Sequence, residues 1–362
     1  MFIRSQRLNF NREKIMSAVV PSQYVFIEGT RAPTEVDFTK LTLQEIMQTS
    51  RYHELLKQIR KIEKVEIHQH FGGAVSLEFI QKYLPAEEYT EFLEFIEKLK
   101  GGVDYKEGFK AFSFIRKVLN SPERIKEAAF DFCRKQKADN VTFTELRTGL
   151  KNFGGGFQEY LDALVAGLEE GMAYYKIRVT LLLSLRRDTS IEDANETVDL
   201  VIKNLGEIVR GIDISGESTV GNGEGIFEPL KRAAANHIPI THHIAEDKRE
   251  DEEQQWKELT VIKPNRVGHA VFLSQRARGL IEANKIVTEI CIRSGLGVGM
   301  ISLPGEHLGL EQYRKGHPVA FCTDDSTLFG DLSEELAIVA CVLNLSIDQV
   351  VELQKKTLEY AF

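Results

Sequence analysis

The chain has 362 residues, 43% of them apolar types, with 46 basic against 54 acidic side chains and a formal charge of −8. That balance, without a basic block, argues against a nucleic-acid surface, and the length is enough for one large barrel or doubly wound domain, or for two ordinary ones. Cys133, Cys291, Cys322 and Cys341 are scattered without a C-x-x-C, and nowhere do eighteen apolar residues run together, so a cytoplasmic protein with buried free thiols and no membrane partner is expected.

Residues 1–60 read as an N-terminal extension belonging to the same domain as residues 61–362. One helix is expected in LTLQEIMQTSRYHELLKQIRK (41–61), as a cap or an oligomer contact, and the oligomeric state stays open. From Lys64 onward, short β-branched apolar runs alternate with stretches of helical periodicity. The runs are VEIH, VTFTELR (141–147), IRVTLLLSL (177–185), IVRGIDIS (208–215), IPITHHIAE (238–246), NRVGHAV (265–271), IVTEICI (286–292) and PVAFCTDD (318–325). Helices are expected between them over 157–175, 190–205 and 227–235, the second opening on the Ser-x-x-Asp capping pattern of SIED. Residues 75–137 are too long for an ordinary crossover and read as a helical lid or side subdomain. This α/β alternation fits a (β/α)8 TIM-type barrel over 61–362, with a helical insertion after the first strand. An open doubly wound sheet would alternate in the same way. The polar residues break the tie, because His68, His70, Arg147, His243, Glu246, His269, Asp324 and Asp325 all fall at the C-terminal ends of their runs, where a barrel gathers its active site.

His68 and His70 in VEIHQHFGG lie two apart on a strand and so share one face. Alone the pair is weak, since histidines often end strands satisfied by hydrogen bonds. THHIAED adds His243, while His242 faces the other way as a wall residue, and CTDD adds Asp324. Three imidazoles and a carboxylate suit one Zn2+, with another divalent transition metal also accommodated. Glu246, just past its strand, is placed to carry a proton, and His269 and Asp325 are placed to orient a hydroxide. Of the glycine-rich spots NFGGGF, GNGEG and GLGVGM, none matches a dinucleotide or phosphate-loop pattern.

KVEIHQHFGG, GIDISGE, HIAE, RVGHA and CTDDSTLF, in that order, resemble the motifs of the adenosine deaminase family of metal-dependent purine deaminases. The resemblance implies zinc on His68, His70, His243 and Asp324, proton transfer to ring N1 by Glu246, and hydroxide held by His269 and Asp325. It also implies a backbone contact from Gly216 to the purine. The expected reaction is hydrolytic deamination of a 6-aminopurine nucleoside, adenosine or a close analogue, by hydroxide that zinc activates for attack at C6. Free adenine, an N6-substituted AMP and 5′-modified adenosines are alternatives. Gly72 stands where nucleoside deaminases usually carry an acidic or amide residue, Ile244-Ala245 replaces Ala-Gly, Ile292 and Gly295 depart from C-P-x-S-N, and Ser326 replaces proline. These departures touch the sugar end of the substrate, so Gly72 is expected to relax recognition of the 5′ group. Two readings of other classes are a two-metal amidohydrolase acting on a cyclic amide, which lacks its usual bridging lysine here, and a non-catalytic binding descendant.

Overall fold

The computed structural model describes residues 36–362. Eight parallel strands follow one another around a single sheet: β1 (Lys64–His70), β2 (Val141–Gly149), β3 (Arg178–Arg186), β4 (Val209–Ser215), β5 (Ile240–Ile244), β6 (Arg266–His269), β7 (Val287–Ile290) and β8 (Val319–Phe321). Each expected run supplies one strand. They read as continuous apolar runs rather than alternating ones because both faces are covered, one by helices and the other by the barrel interior. The ring is nearly closed. β8 meets β1 through two backbone hydrogen bonds, from the Asp324 N–H to His68 O (2.9 Å) and from the His70 N–H to Asp324 O (3.0 Å), instead of a full ladder.

Before the barrel come α1 (Leu43–Met47) and α2 (Ser50–Ile59), where the sequence suggested one helix. The break has a local cause: the Thr49 side chain accepts from the Tyr52 N–H and starts α2 afresh. Ile46, Tyr52, Leu55 and Ile59 bury themselves against Leu336, Val339 and their neighbours. The expectation for residues 1–35 lies outside the described residues.

The insertion after β1 is all helical: α3 (Phe71–Ala74), α4 (Leu77–Tyr83), α5 (Ala86–Leu99), α6 (Tyr105–Gly108), α7 (Ala111–Val118) and α8 (Pro122–Ala138). Ser121 caps α8 with Pro122 in its first turn, where a missing N–H costs nothing. After the insertion come α9 (Gly156–Tyr175), α10 (Ile191–Asn204), α11 (Glu224–Ala235), α12 (Glu252–Ile262), α13 (Gln275–Ala283), α15 (Leu308–Arg314), α17 (Leu332–Val342) and α18 (Ile347–Tyr360), while the short α14 (Ile292–Gly297) and α16 (Ser326–Phe329) follow β7 and β8 at the strand ends. In SIED, Ser190 accepts from the Asp193 N–H and opens α10 as expected. Among the described residues no helix is long and apolar enough to cross a membrane.

Candidate metal centre and active site

The C-terminal ends of β1, β5, β6 and β8 bring His68, His70, His243, His269 and Asp324 to one place. Nε2 of His70 lies 3.0 Å from Nε2 of His243 and 3.3 Å from Asp324 Oδ1, and His68 Nε2 lies 3.5 Å from the same oxygen. His269 Nε2 is 3.9 Å from Asp324 Oδ2. One donor atom from each of His68, His243, His269 and Asp324 falls within a common 4.8 Å, so this set can surround a small cation, and His70 adjoins it through His243 and Asp324. His269 Nε2 also stands 3.8 Å from Glu246 Oε2.

The outer hydrogen bonds decide which ring nitrogens are bare. His243 Nδ1 is 2.9 Å from the carbonyl of Ile214, which can only accept, so Nδ1 carries the proton and Nε2 points inward as a lone pair. His68 Nδ1 lies 2.6 Å from Glu289 Oε2, which fixes the same tautomer, and its buried Nε2 has no hydrogen-bond partner among the described residues. Burial pushes His70 down to about 3 and holds His269 well below the usual imidazole range. Burial alone would raise Asp324, but the adjoining His68, His269 and His70 imidazoles hold its carboxyl well below the ordinary value. Neutral His70 and His243 facing an ionised carboxylate are what a divalent cation requires; burial also opposes charge on His68, but Asp324 and Glu289 raise that imidazole.

The backbone here is bent to serve the site. His269 (φ 58°), Asp324 (φ 65°) and Ala245 (φ 56°) occupy the left-handed region that non-glycine residues rarely enter, and such strain concentrates at functional sites. Ala245 stands where the family pattern has glycine, and its positive φ supplies the reason for that glycine. A Cβ on Gly73 would lie 1.7 Å from Asp325 Oδ1, so only glycine lets that carboxylate in. A Cβ on Gly268 would likewise lie 2.8 Å from the His68 ring.

Glu246 and Asp325 are buried acids with unusual environments. Burial, then the Glu250 carboxylate, holds Glu246 well above the usual carboxyl range, and burial with Asp324 does the same for Asp325. Glu246 Oε1 and Asp325 Oδ1 have no hydrogen-bond partner among the described residues. Both acids line a cavity of about 650 Å3 that His70, His243, His269 and Asp324 also border, along with Gly72 and Gly216. Gly216 has φ 90° and a Cβ there would press the Arg186 side chain at 3.1 Å, whereas a Cβ on Gly72 would reach only ordinary contact with Ile115 and Phe112 at 3.9 Å. A second cleft of about 710 Å3, near the start of β5, shares no lining residue with this one.

Other polar residues sort themselves by partner. His242 gives Nε2 to Glu258 at 2.8 Å and is a wall residue, as expected. Arg147 is paired with Asp213 and Glu289, and Arg187 with Glu258, so neither is free to meet a substrate. Sequence reasoning missed Ser294, which donates to Asp324 Oδ2 at 2.6 Å, and Tyr105, Arg116 and Lys151, which reach the cavity from the insertion and the loop after β2.

Residues 63–362 match the family model for adenosine deaminase. The chain belongs to the adenosine deaminase family. It is a hydrolase of that family, and its relatives are deaminases. An N6-methyl-AMP deaminase from Xenopus laevis is 30% identical over 321 residues, 85% of this chain and 91% of that protein. An N6-mAMP deaminase from Arabidopsis thaliana is 27% identical, covering 85% and 94% of the two chains. Among solved structures, Arabidopsis ADAL complexed with GMP superposes with a TM-score of 0.76 at 27% identity, over 84% of this chain and 94% of that one. The barrel and the deaminase family expected from HQH, HIAE, RVGHA and TDD are therefore borne out.

Proposed function

We propose that the protein hydrolyses the 6-amino or N6-substituted amino group of a purine nucleoside 5′-monophosphate, giving the 6-oxo nucleotide and ammonia or an amine. The observation that carries this reading is a pair of cations on the cavity wall. Arg116 and Lys151 line it, and neither has a carboxylate in salt-bridge range among the described residues. Burial, then the nearby Arg116, pulls the Lys151 ammonium down to about 8, a cost that an arriving dianion would relieve. The names of the relatives, N6-methyl-AMP deaminases, support the same substrate class. Gly72 suits it too, because a carboxylate near the sugar would repel a 5′-phosphate. Val298, Met300, Leu328 and Phe329 line the cavity on the elements that follow β7 and β8, leaving an apolar wall for a methylated amine.

In this reading His68, His70, His243 and Asp324 hold one divalent transition ion, zinc by donor set. When bound, such an ion lowers the pKa of a water to about 7 and so supplies a nucleophile at neutral pH. Glu246, held neutral, gives its proton to ring N1, which lets C6 accept an electron pair, and the resulting carboxylate then takes the proton of the hydroxyl added at C6 and hands it to the departing amine as the C6–N bond breaks. His269 Nε2 and Asp325 orient the attacking oxygen by accepting or donating hydrogen bonds. The Gly216 backbone contacts the purine edge.

The test is a panel of N6-methyl-AMP, AMP, N6-methyladenosine and adenosine given to metal-replete protein, followed by ultraviolet spectra and amine release. The 5′-phosphates should exceed their nucleosides at least about tenfold in kcat/KM, the scale of one or two charge-assisted hydrogen bonds, and Arg116→Ala should remove most of that margin. Equal or better turnover of adenosine, indifferent to Arg116, would restore the nucleoside expectation.

A further inference from the structure

The insertion crosses the mouth of the barrel at α6, and its contacts there are more specific than a lid requires. Lys106 Nζ lies 3.0 Å from Glu217 Oε1 after β4, Arg249 after β5 lies 3.5 Å from Asp104, and the Val103 N–H donates to Gly297 O at 3.0 Å. Between these latches Tyr105 turns inward, 6% exposed, with its hydroxyl 3.1 Å from Glu246 Oε2. The backbone N–H of Ser218 donates to that same hydroxyl at 3.0 Å.

These contacts leave little freedom of sense. A backbone N–H can only donate, so it occupies a lone pair of the tyrosine oxygen, and the single hydroxyl proton is left to point at Glu246 Oε2. Oε2 is then an acceptor. If the acid is neutral, as burial beside Glu250 favours, its proton sits on Oε1, the oxygen without a partner among the described residues. The other charged groups around this carboxyl are Arg187, Asp324, Asp325 and His269, and none of them makes a hydrogen bond to Oε2.

We propose that Tyr105 is a positioning residue for proton transfer by Glu246: its hydroxyl pins Oε2 as the carbonyl oxygen of the acid and keeps the transferable proton on Oε1. When the Oε1–H bond breaks and the proton joins the lone pair of ring N1, the bonding electrons stay on the carboxyl group and spread to Oε2. The hydrogen bond from Tyr105 therefore strengthens as the transition state is approached, which is the condition for accelerating a step rather than merely binding substrate. Ser218 follows Gly216 by two residues, so the Ser218–Tyr105–Glu246 chain also ties the purine-side loop to the acid, and donors in series polarise one another.

The kinetic half of the test rests on the deaminase reading, and the spectroscopic half does not. In Tyr105→Phe, metal content and KM for N6-methyl-AMP should stay within about threefold while kcat falls at least about tenfold, the size of a hydrogen bond to a developing charge. Infrared difference spectra against Glu246→Gln, on metal-loaded protein without substrate, should show a carboxylic-acid C=O band at a hydrogen-bonded frequency, moving higher in Tyr105→Phe. A kcat that holds while KM rises would make Tyr105 a wall of the pocket. A band that does not move, an ionised Glu246, or a wild-type band already at the frequency of an unbonded acid would overturn the proposal. The last two are read on the native protein, even should the variant not fold. Failure of native protein to release amine from any 6-aminopurine would fall on the functional reading and leave the infrared result to decide the role of Tyr105.

Discussion

The barrel interior holds two layers of charge that obey opposite rules. In the middle layer Arg147 meets Asp213 at 3.1 Å and Glu289 at 3.0 Å, while Arg266 meets Glu289 at 2.6 Å and also Glu145, and Thr241 and His68 complete the Glu289 carboxylate. All three carboxylates there, Asp213, Glu289 and Glu145, are matched by donors. One layer higher, at the strand ends, His68 Nε2, His269 Nδ1, Glu246 Oε1 and Asp325 Oδ1 are buried with no hydrogen-bond partner among the described residues. Burial is similar, so burial alone does not mark a functional group. Unmet acid and imidazole valence does: the middle-layer carboxylates are all met by donors, with Arg147 Nε left unpartnered, and read as structure, whereas the bare acids and imidazoles of the upper layer are complementary to something that enters. Glu289 joins the two, since it is both the hub of the arginines and the group that sets the His68 tautomer.

This contrast predicts that substitutions in the two layers fail in different ways. The largest effect is expected from Asp324→Asn or His243→Ala, which should lose the metal and bring turnover to background while the thermal transition of the barrel persists, checked by elemental analysis beside circular dichroism. Two metals per chain would instead favour the two-metal amidohydrolase. Glu289→Gln should cost about 3–5 kcal/mol of stability in denaturant titrations, because it removes the buried charge that two guanidinium groups share and leaves Arg147 to Asp213 and Arg266 to Glu145. The same layer gives a pH dependence. Burial opposes ionisation of Asp213 and Glu289, but His243 and Arg147 hold the first, and Arg147 and Arg266 the second, well below the ordinary values of 3.8 and 4.5. The unfolded chain therefore binds protons that the folded chain refuses, and stability present above about pH 4.5 should fall as acid is added.

Glu246→Gln lies on the other side of the comparison. It should retain metal and substrate affinity within about tenfold, leave the denaturation midpoint unchanged, and lower kcat at least about 10²-fold. Loss of metal from this variant would move Glu246 into the ligand set. Gly72→Asp is the smallest step: it should shift preference away from a 5′-phosphate and toward a free 5′-hydroxyl by about threefold to tenfold, the worth of one hydrogen bond, measured as a ratio of kcat/KM values. An unchanged ratio would leave Gly72 as a turn residue only.

Much of the upper layer was legible in the sequence because a barrel presents it at fixed places. A period of two on β1 sets His68 and His70 on one face, and the switch from apolar run to polar residues locates His243, Glu246, His269 and Asp324. The middle layer was partly visible as acids inside apolar runs, Asp213 in GIDIS and Glu289 in TEIC, but which arginine each would meet depends on register across the ring. Tyr105, Arg116 and Lys151 were not legible. They sit on an insertion and a loop whose helical pattern reports which face is apolar, not where that face docks. The single helix expected over 41–61 failed for a local reason, since an internal threonine can cap a new helix as readily as it can ride in an old one.

The seam between β8 and β1 has a consequence for how the protein comes into being. The first and last strands touch through His68, His70 and Asp324 themselves, so two residues made near the beginning of the barrel wait for one made near its end. A nascent chain that has completed seven strands holds most of the core and none of the chemistry, and a contact of such long sequence separation is slow to form. Catalytic competence should therefore appear late and all at once during refolding, trailing the recovery of helical signal, and it would serve as a sensitive clock for the moment at which the ring shuts.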